Sequence, residues 1–425
     1  MKTDSAQHNK SSLEVETPPA VDAKGWLRTF SSLRIRNYRW YWFSVVAGFV
    51  AMQMQMVARG WLIYEMTDSP LALGLISIAW GVPAMLIGPF GGVITDRMEK
   101  RNLIVITQVL IGLITLAVTI LIVNGSIQYW HLIGAALLTG VIFAFNMPAR
   151  YAIIPQLVGE KQLMNAIALS SSGTNFSRIV APAVAGVLIG LIGIPGVYIV
   201  MTGCYIFVVG AVLKVPTIGV ASRPQKTSIM EDLIEGFVYI RRNRLVLMLI
   251  VLAFASILFG WPYMILMPVF ARDVLDVGPE GLGMLMSAMG CGALIGSLGV
   301  ASLGGFKRKG LLMLGLALVF GVGVILFAIS KSLYLSLFSL FIAGLASAGL
   351  FALNTALVQS NVTDQMRGRV MAILLMTFGL QSLGVLFISG AAEAVGAPLA
   401  VAGGGVLLVL TILVLAILVP DLRHL

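Results

Sequence analysis

Long apolar runs recur along this chain from Trp40 to about residue 420, separated by short polar segments. A helix needs roughly 20 residues to cross the hydrocarbon core of a bilayer. The runs are continuous rather than alternating, and a chain in hydrocarbon must pair its own backbone groups, so helices are expected. The pattern predicts twelve spans, at 39–66, 71–95, 102–124, 130–147, 162–190, 194–215, 245–271, 280–303, 310–330, 333–358, 368–392 and 397–420.

The composition is that of a polytopic membrane protein. Of the 425 residues, 59% are hydrophobic and 11% are charged, against roughly 25% charged in soluble proteins. So few charges cannot cover a water-facing surface, which excludes a soluble enzyme. Cys204 and Cys291 both lie inside apolar runs, so no disulfide framework is expected. No metal or cofactor is expected either.

The net charge of +10 is explained by topology rather than by nucleic-acid binding, which we do not expect. With both termini in the cytoplasm, most lysines and arginines fall in cytoplasmic segments, as the positive-inside rule requires for an even number of spans. The excess positive charge also favours contact with anionic membrane lipid. The predicted outer side carries mainly acids, namely Glu65, Asp68, Asp273, Asp276, Glu280 and Glu393.

The two halves of the chain are similar in sequence. A single shift overlays Gly74 on Gly281 and Lys100 on Lys307. We therefore expect an all-α membrane protein with twelve transmembrane helices in two pseudo-symmetric six-helix bundles. The predicted parts are a cytoplasmic tail at 1–38, bundles at 39–215 and 245–420, a central loop at 216–244 and a cytoplasmic tail at 421–425.

The central loop contains a segment with apolar residues at Leu233, Phe237 and Ile240 between acids and bases. This spacing predicts an amphipathic helix, which lies either on the cytoplasmic membrane surface or in solvent as a linker. The N-terminal tail shows no cleavable signal peptide, so we expect the first span to be a retained anchor.

The turn after the second span carries a charged motif, Gly92-Val-Ile-Thr-Asp96-Arg97-Met-Glu-Lys100-Arg101. Glycine lets helices approach closely, and Asp96 at a helix end can accept backbone N–H groups or pair with a base. The motif resembles the loop 2–3 signature of the major facilitator superfamily. That resemblance implies a gating latch that stabilises the outward-open state, with a simple charged turn as the alternative.

Three further stretches resemble the bacterial enterobactin-exporter-like branch of that superfamily. They are Val57–Gly74 at spans 1 and 2, Met147–Val158 in the predicted loop 4–5, and Gly236–Leu245 before span 7. The resemblance covers nearly the whole chain beyond the N-terminal tail. It implies a monomeric secondary active exporter in the bacterial cytoplasmic membrane, driven by protons and working by alternating access. Its substrates would be siderophores, drugs or other small amphipathic molecules.

Two departures from proton-coupled drug antiporters count against proton drive without removing it. Span 4, predicted at 130–147, has no arginine, whereas many such antiporters carry a basic motif there. Span 5 has Gly173 and then Ala181-Pro182-Ala-Val-Ala-Gly186, a degraded form of the antiporter motif in which Ala181 replaces a glycine.

Two arginines are predicted inside the bilayer, where an unpaired charge costs about 2.5 kcal/mol or more. Arg178, near the middle of span 5, either binds an anionic group of a substrate or bonds to helix carbonyls. Arg59, in the outer part of span 1, either faces substrate or extends toward Glu65 or Asp68. If protons drive transport, Glu65, Asp68 or Glu393 is expected to carry them.

Four amides also lie in or at the ends of predicted spans. Gln53 and Gln55 point to different faces of span 1, so at most one of them faces a cavity squarely. Both are candidates for contact with substrate. Asn146 and Asn354 are expected to cap the ends of spans 4 and 10.

Small residues favour close helix packing in spans 5 and 8. Gly292 and Gly296 have the four-residue spacing that lets helices approach, and Pro182 and Gly186 lie in span 5. We expect a smooth seam between the halves, with ordinary close packing as the alternative. The run Thr67–Pro70 predicts the N-terminal cap of span 2.

Two other functions are weighed against export. An importer or facilitator of the same fold fits the same pattern, because these features do not fix direction. A membrane-embedded enzyme fits poorly, because the sequence has no His-Glu-x-x-His helix and no nucleotide-binding loop. We therefore assign no catalytic residue.

Overall fold

The computed structural model describes residues 31–217, 229–303, 306 and 308–418, and across these residues every regular element is helical. Two π-helical turns, Ser256–Gly260 and Phe270–Val274, interrupt the α-helical hydrogen bonding of span 7. The α-helices are Arg36–Thr67, Pro70–Arg97, Lys100–Val123, Tyr129–Leu213, Ile229–Arg242, Arg244–Ala255, Tyr263–Val269, Gly278–Ser302, Lys309–Ile329, Leu333–Ser360, Asp364–Gly379, Gln381–Val395 and Ala397–Leu418.

These helices carry all twelve predicted spans, whose numbers we keep. Within the described ranges, nine helices are long and apolar enough to cross a bilayer. One of them, Tyr129–Leu213, is bent at Gly159 and Gly193 and carries spans 4, 5 and 6. Span 11 is divided into Asp364–Gly379 and Gln381–Val395.

Two glycines make the reversals between spans 4, 5 and 6. Gly159 has φ 68° and ψ 173°, and Gly193 has φ 71° and ψ 174°, a conformation that glycine adopts without steric cost. The predicted end of span 4 at residue 147 is wrong, because the helix continues through Pro148 and Pro155 to Gly159. Proline is tolerated in membrane helices, where neighbouring groups can satisfy the freed backbone atoms.

The start of span 2 confirms the predicted cap. Asp68 ends span 1 in the left-handed conformation, with φ 48°. The Ser69 hydroxyl then accepts a hydrogen bond from the Ala72 amide at 3.3 Å, and Pro70 takes the first helical position. Span 2 therefore begins at a fixed point on the predicted outer side.

The helix of the central loop, Ile229–Arg242, packs against the first part of span 11. Glu235 forms an ion pair with Arg369 there, and Ile240 is buried. Phe237 is 57% exposed. The placement of this helix on the membrane surface or in solvent stays a prediction.

The two halves meet along two seams, one between spans 5 and 8 and one between spans 2 and 11. A Cβ on Gly283 would lie 2.6 Å from the Pro182 carbonyl oxygen, and a Cβ on Gly186 would collide with the backbone of span 8. The Ser287 hydroxyl donates to the Ile179 carbonyl at 2.6 Å. Glycine thus allows backbone to touch backbone across the first seam.

The partner predicted for Gly292 and Gly296 is wrong. A Cβ on either residue would collide with the backbone of span 10, at Phe341 and Leu345. Both partners belong to the same half, so these two glycines support ordinary close packing inside the second half.

Large apolar side chains cover much of the outer surface of the spans. Leu113 is 55% exposed, Leu191 is 74% exposed and Ile206 is 70% exposed. An apolar surface of this kind is stable against lipid tails and not against water.

Candidate functional site

The charged motif lies at a tight turn between spans 2 and 3. Span 2 ends at Arg97 and span 3 begins at Lys100. Lys100 is buried, and one Arg101 N–H group donates to the Leu213 carbonyl at the end of span 6, at 2.9 Å. The side chain of Asp96 and the surroundings of Gly92 lie outside what the structure describes, so the latch stays a prediction.

A cavity of about 50 Å³ lies among spans 1, 2, 3, 4 and 6. One wall is aromatic, with Phe49, Trp80 and Phe143 in the lining; the Trp80 and Phe143 ring centroids are 5.3 Å apart. Gln55 lines the cavity. The polar side chains of the lining come from Gln55, Gln108, Thr139, Asn146, Arg150 and Tyr205.

Arg150 is the charged residue of this cavity, which we call the Arg150 cavity. It is 6% exposed. Its Nε donates to the Asn146 side-chain oxygen at 2.9 Å, the Asn146 amide donates to the Thr107 hydroxyl at 2.6 Å, and the Tyr41 hydroxyl donates to the Arg150 carbonyl at 2.6 Å. The guanidinium is therefore held by Asn146 of its own helix, which in turn bonds to span 3, while span 1 bonds to the Arg150 backbone.

Two predictions about span 4 are wrong for the same reason. Because the span runs past residue 147, it contains an arginine, Arg150, and Asn146 lies inside the helix instead of capping it. Asn354 is likewise internal to span 10, and its amide donates to the Leu249 carbonyl at 3.0 Å. The signal that could have revealed the pair is the four-residue spacing of Asn146 and Arg150, which places both on one helical face.

The Arg150 cavity has unmatched polar atoms. Within the described part of the chain, Nη1 of Arg150 has no acceptor and Oε1 of Gln108 has no donor, although both atoms are buried. The described residues of the lining include no aspartate or glutamate. Burying a charge without a partner is costly, so this arrangement favours an anionic or hydrogen-bonding guest.

The other candidate side chains of the spans lie apart from that lining. Among the described residues, the ionisable neighbours of Arg59 are the phenols of Tyr198 and Tyr205, and the reach toward Glu65 or Asp68 stays a prediction. Arg178 is exposed on span 5, and Tyr151 is its ionisable neighbour. Gln53 is half-buried on a different face from Gln55.

A cluster of polar residues joins the two halves at the predicted outer end. Arg272 of span 7 forms a 2.7 Å ion pair with Asp68 and donates to the Tyr64 carbonyl at 3.2 Å. The Tyr64 hydroxyl in turn donates to Asp273. The end of span 1 is thereby tied to the end of span 7.

Glu393 makes a second tie at the same end. Its Oε2 accepts from the Ser69 hydroxyl at 2.8 Å and from the Leu71 amide at 3.1 Å. A carboxylate at a helix N-terminus is favoured by the helix dipole. Glu65 is exposed nearby and is not part of these contacts. We call this set the outer cluster; it comprises Tyr64, Asp68, Ser69, Leu71, Arg272, Asp273 and Glu393.

The halves are joined at the predicted outer end. Along spans 2 and 11, a Cβ on Gly74 would lie 2.7 Å from the Ser389 Cβ, and along spans 5 and 8 a Cβ on Gly290 would lie 3.1 Å from the Arg178 carbonyl. Met164, about four turns from Arg178 on the same side of span 5, is 80% exposed. The arrangement is therefore closed at the predicted outer end.

Comparison with known proteins agrees with this architecture. The chain matches the family described as transmembrane secretion effector over residues 27–424, and so belongs to that family of the major facilitator superfamily. It is similar to the nucleoside transporter NupG in its crystal structure, with a TM-score of 0.71, 13% sequence identity, and coverage of 89% of this chain and 98% of the other. The predicted fold is thereby confirmed: twelve transmembrane helices in two pseudo-symmetric six-helix bundles.

Curated relatives are exporters and efflux proteins. The chain is 26% identical over 411 residues to the enterobactin exporter of Escherichia coli O9:H4, covering 95% of this chain and 97% of the exporter. It is 23% identical over 354 residues to the macrolide efflux protein A of Streptococcus pyogenes, covering 82% and 86% of the two chains. The predicted superfamily and branch are confirmed, and the protein is a multi-pass membrane transporter.

Proposed function

We propose that this transporter exports small amphipathic molecules from the bacterial cytoplasm by alternating access, driven by protons that flow inward. It works as a monomer, with both termini in the cytoplasm and with lipid around its apolar surface. The observation that carries the proposal is the outer cluster, which ties the two halves together at the predicted outer end. A bundle pair closed at one end is one of the two states that alternating access requires.

The direction of transport is supported by the relatives, which include an enterobactin exporter and a macrolide efflux protein. An importer or facilitator of the same fold is the second candidate, because exporters and importers both pass through a state that is closed at the outer end. The aromatic wall of the Arg150 cavity supports an amphipathic substrate, since aromatic rings bury large apolar groups. The proposal involves no catalysis, cofactor or nucleic acid.

The chemistry of the outer cluster supports the proposed proton coupling. Asp68, Asp273 and Glu393 each accept a bond from the opposite half as a carboxylate. Protonation from the outside removes the charge and weakens the contact. We therefore assign Asp68 and Glu393 as the groups through which external protons favour opening of the outer end, and leave Glu65 outside the coupling machinery.

The complementary state is assigned to the charged motif. When the outer end opens and the inner end closes, the latch of Asp96, Arg97, Lys100 and Arg101 holds the inner end, with the bundles at 39–215 and 245–420 moving as two bodies. In the present arrangement Arg101 bonds within its own half, to Leu213.

The test uses everted membrane vesicles with an imposed pH gradient, acid inside, and a labelled panel of a macrolide, a catecholate siderophore and an amphipathic cationic dye. At least one compound should accumulate in the lumen, and a protonophore should stop accumulation. The Glu393→Ala variant should lose the dependence on the gradient. Continued uphill accumulation after the gradient has collapsed would exclude proton drive, and accumulation only in right-side-out vesicles would establish import.

A further inference from the structure

We infer that the Arg150 cavity is a subsite for the carboxylate of an amphipathic substrate. The inference rests on the proposed transport function, because it identifies the chemical group of the transported molecule that binds in the first six-helix bundle. It assigns to Arg150 the role of recognising an anionic group, a role that the sequence patterns assigned only to Arg178 and Arg59.

The guanidinium has one buried nitrogen, Nη1, whose hydrogen-bonding capacity is unused among the described residues. Its Nε is used by Asn146, and Nη1 has no acceptor among the described residues. Nη2 lies against Gly48, where a Cβ would come within 2.9 Å of it. A carboxylate that enters the cavity can therefore take a charge-assisted bond from Nη1, the strong kind of hydrogen bond that arginine makes with carboxylates.

Among the described residues, no acid in the cavity balances the charge of Arg150. The described lining includes no aspartate or glutamate, and the described ionisable groups acting on the guanidinium are the phenols of Tyr41, Tyr205 and Tyr151. Phenols are neutral near pH 7. A desolvated cation with only neutral neighbours gains more from an anion than from any neutral guest.

Gln108 provides a second recognition group. Its side-chain oxygen is buried without a donor among the described residues. The oxygen and nitrogen of such an amide exchange places by rotation about the last torsion, which would turn N–H donors toward a second carboxylate oxygen. Arg150 and Gln108 are then a matched pair for one planar anionic group.

The size of the cavity limits what it holds. Its volume of about 50 Å³ is far below the roughly 300 to 1,000 Å³ of a site for a whole drug-sized molecule. It therefore holds one small group, while the body of the substrate occupies the wider pathway. The rings of Phe49, Trp80 and Phe143 suit an aromatic or other apolar neighbour of that group.

The test measures binding of radiolabelled benzoate to the purified full-length protein in lipid nanodiscs, with benzamide as the uncharged competitor of equal shape. Benzoate should bind and benzamide should compete roughly tenfold or more weakly. Arg150→Gln should weaken benzoate binding by roughly 10- to 100-fold. Gly48→Ala, whose new Cβ displaces Nη2 without removing the charge, should weaken it by a smaller factor.

Arg241→Gln, which removes an exposed positive charge from the central helix, is the matched control and should leave benzoate affinity unchanged. If Arg150→Gln is not monodisperse by size exclusion, Gly48→Ala and Gln108→Leu decide the question. Absence of benzoate binding, equal competition by benzamide, or unchanged affinity in these variants would overturn the subsite. Displacement of benzoate by chloride at physiological concentration would show a site for free inorganic anions and would also overturn it.

The outcome is separable from that of the proposed function. Lost benzoate binding with export intact overturns the subsite alone. Intact benzoate binding without export in vesicles overturns the exporter proposal alone.

Discussion

Replacing Glu393 with alanine should open the outer end of the transporter more often. Glu393 contributes two bonds across the halves, at 2.8 Å from the Ser69 hydroxyl and 3.1 Å from the Leu71 amide. A bond to a charged group contributes about 1.5 to 3 kcal/mol when shielded from water, and much less where it is exposed, as both bonds are here. We expect a loss of about 1 to 1.5 kcal/mol for the two together.

That loss should raise the fraction of molecules open on the outside by roughly 5- to 12-fold. The assay places a cysteine at Ser382, which is 5% exposed in the seam between spans 2 and 11, after Cys204 and Cys291 have been changed to serine. A membrane-impermeant maleimide is added outside intact cells, and its reaction rate follows the open fraction. Glu393→Gln keeps an uncharged acceptor, so its rate should rise only about two- to threefold.

The matched control is Glu65→Ala. It also removes one negative charge from the predicted outer side, at the end of span 1. Its labelling rate should stay at the wild-type value, because Glu65 takes no part in the outer cluster. Unchanged labelling in Glu393→Ala would refute the reasoning. An equal rise in Glu65→Ala would show that surface charge, and not the bonds of Glu393, controls the outer end.

Three more experiments test the remaining contacts. Asp68→Arg and Arg272→Asp should each speed labelling at Ser382→Cys, and the charge swap that combines them should return the rate toward the wild-type value if the ion pair controls it. Gly283→Ala should lose about 1 to 3 kcal/mol through overpacking against the Pro182 carbonyl, seen as a lower melting temperature, whereas Gly299→Ala, with nothing within 4 Å of its new Cβ, should melt like the wild type. Asp96→Asn should reduce transport in vesicles at near-normal expression, and unchanged flux would remove the latch.

The number and order of the spans could be predicted because apolar length alone sets them. A run of about 20 apolar residues has few ways to exist other than as a membrane helix, and positive charge orients the ends. The end of span 4 could not be predicted in this way. The sequence around Pro148 and Arg150 is typical of a loop, whereas both residues lie inside a helix. Buried contacts with Asn146 and Tyr41 hold Arg150 there.

The polar contacts of the candidate site depend on tertiary structure. Glu393 and Ser69 are 324 residues apart in sequence. The pattern of apolar and charged residues predicts only that both lie at the outer ends of spans. The sequence does favour an arginine in the membrane, but it points to Arg59 and Arg178, since these interrupt apolar runs. Arg150 lies at the margin of a run, and only the packing of three helices around it reveals that it is buried.

The position of the Arg150 cavity leads to a final prediction about coupling. All of its lining residues belong to the first six spans, so rocking of the halves as rigid bodies carries the cavity along unchanged. A ligand with equal affinity for two states shifts neither. Saturating benzoate should therefore leave the labelling rate at Ser382→Cys within about twofold, and Glu393→Ala should leave benzoate affinity within the same factor. A complete substrate, which also reaches the second half, should change the labelling rate more strongly. If benzoate alone shifts labelling by roughly tenfold, the first half deforms during opening and the rigid-body description fails.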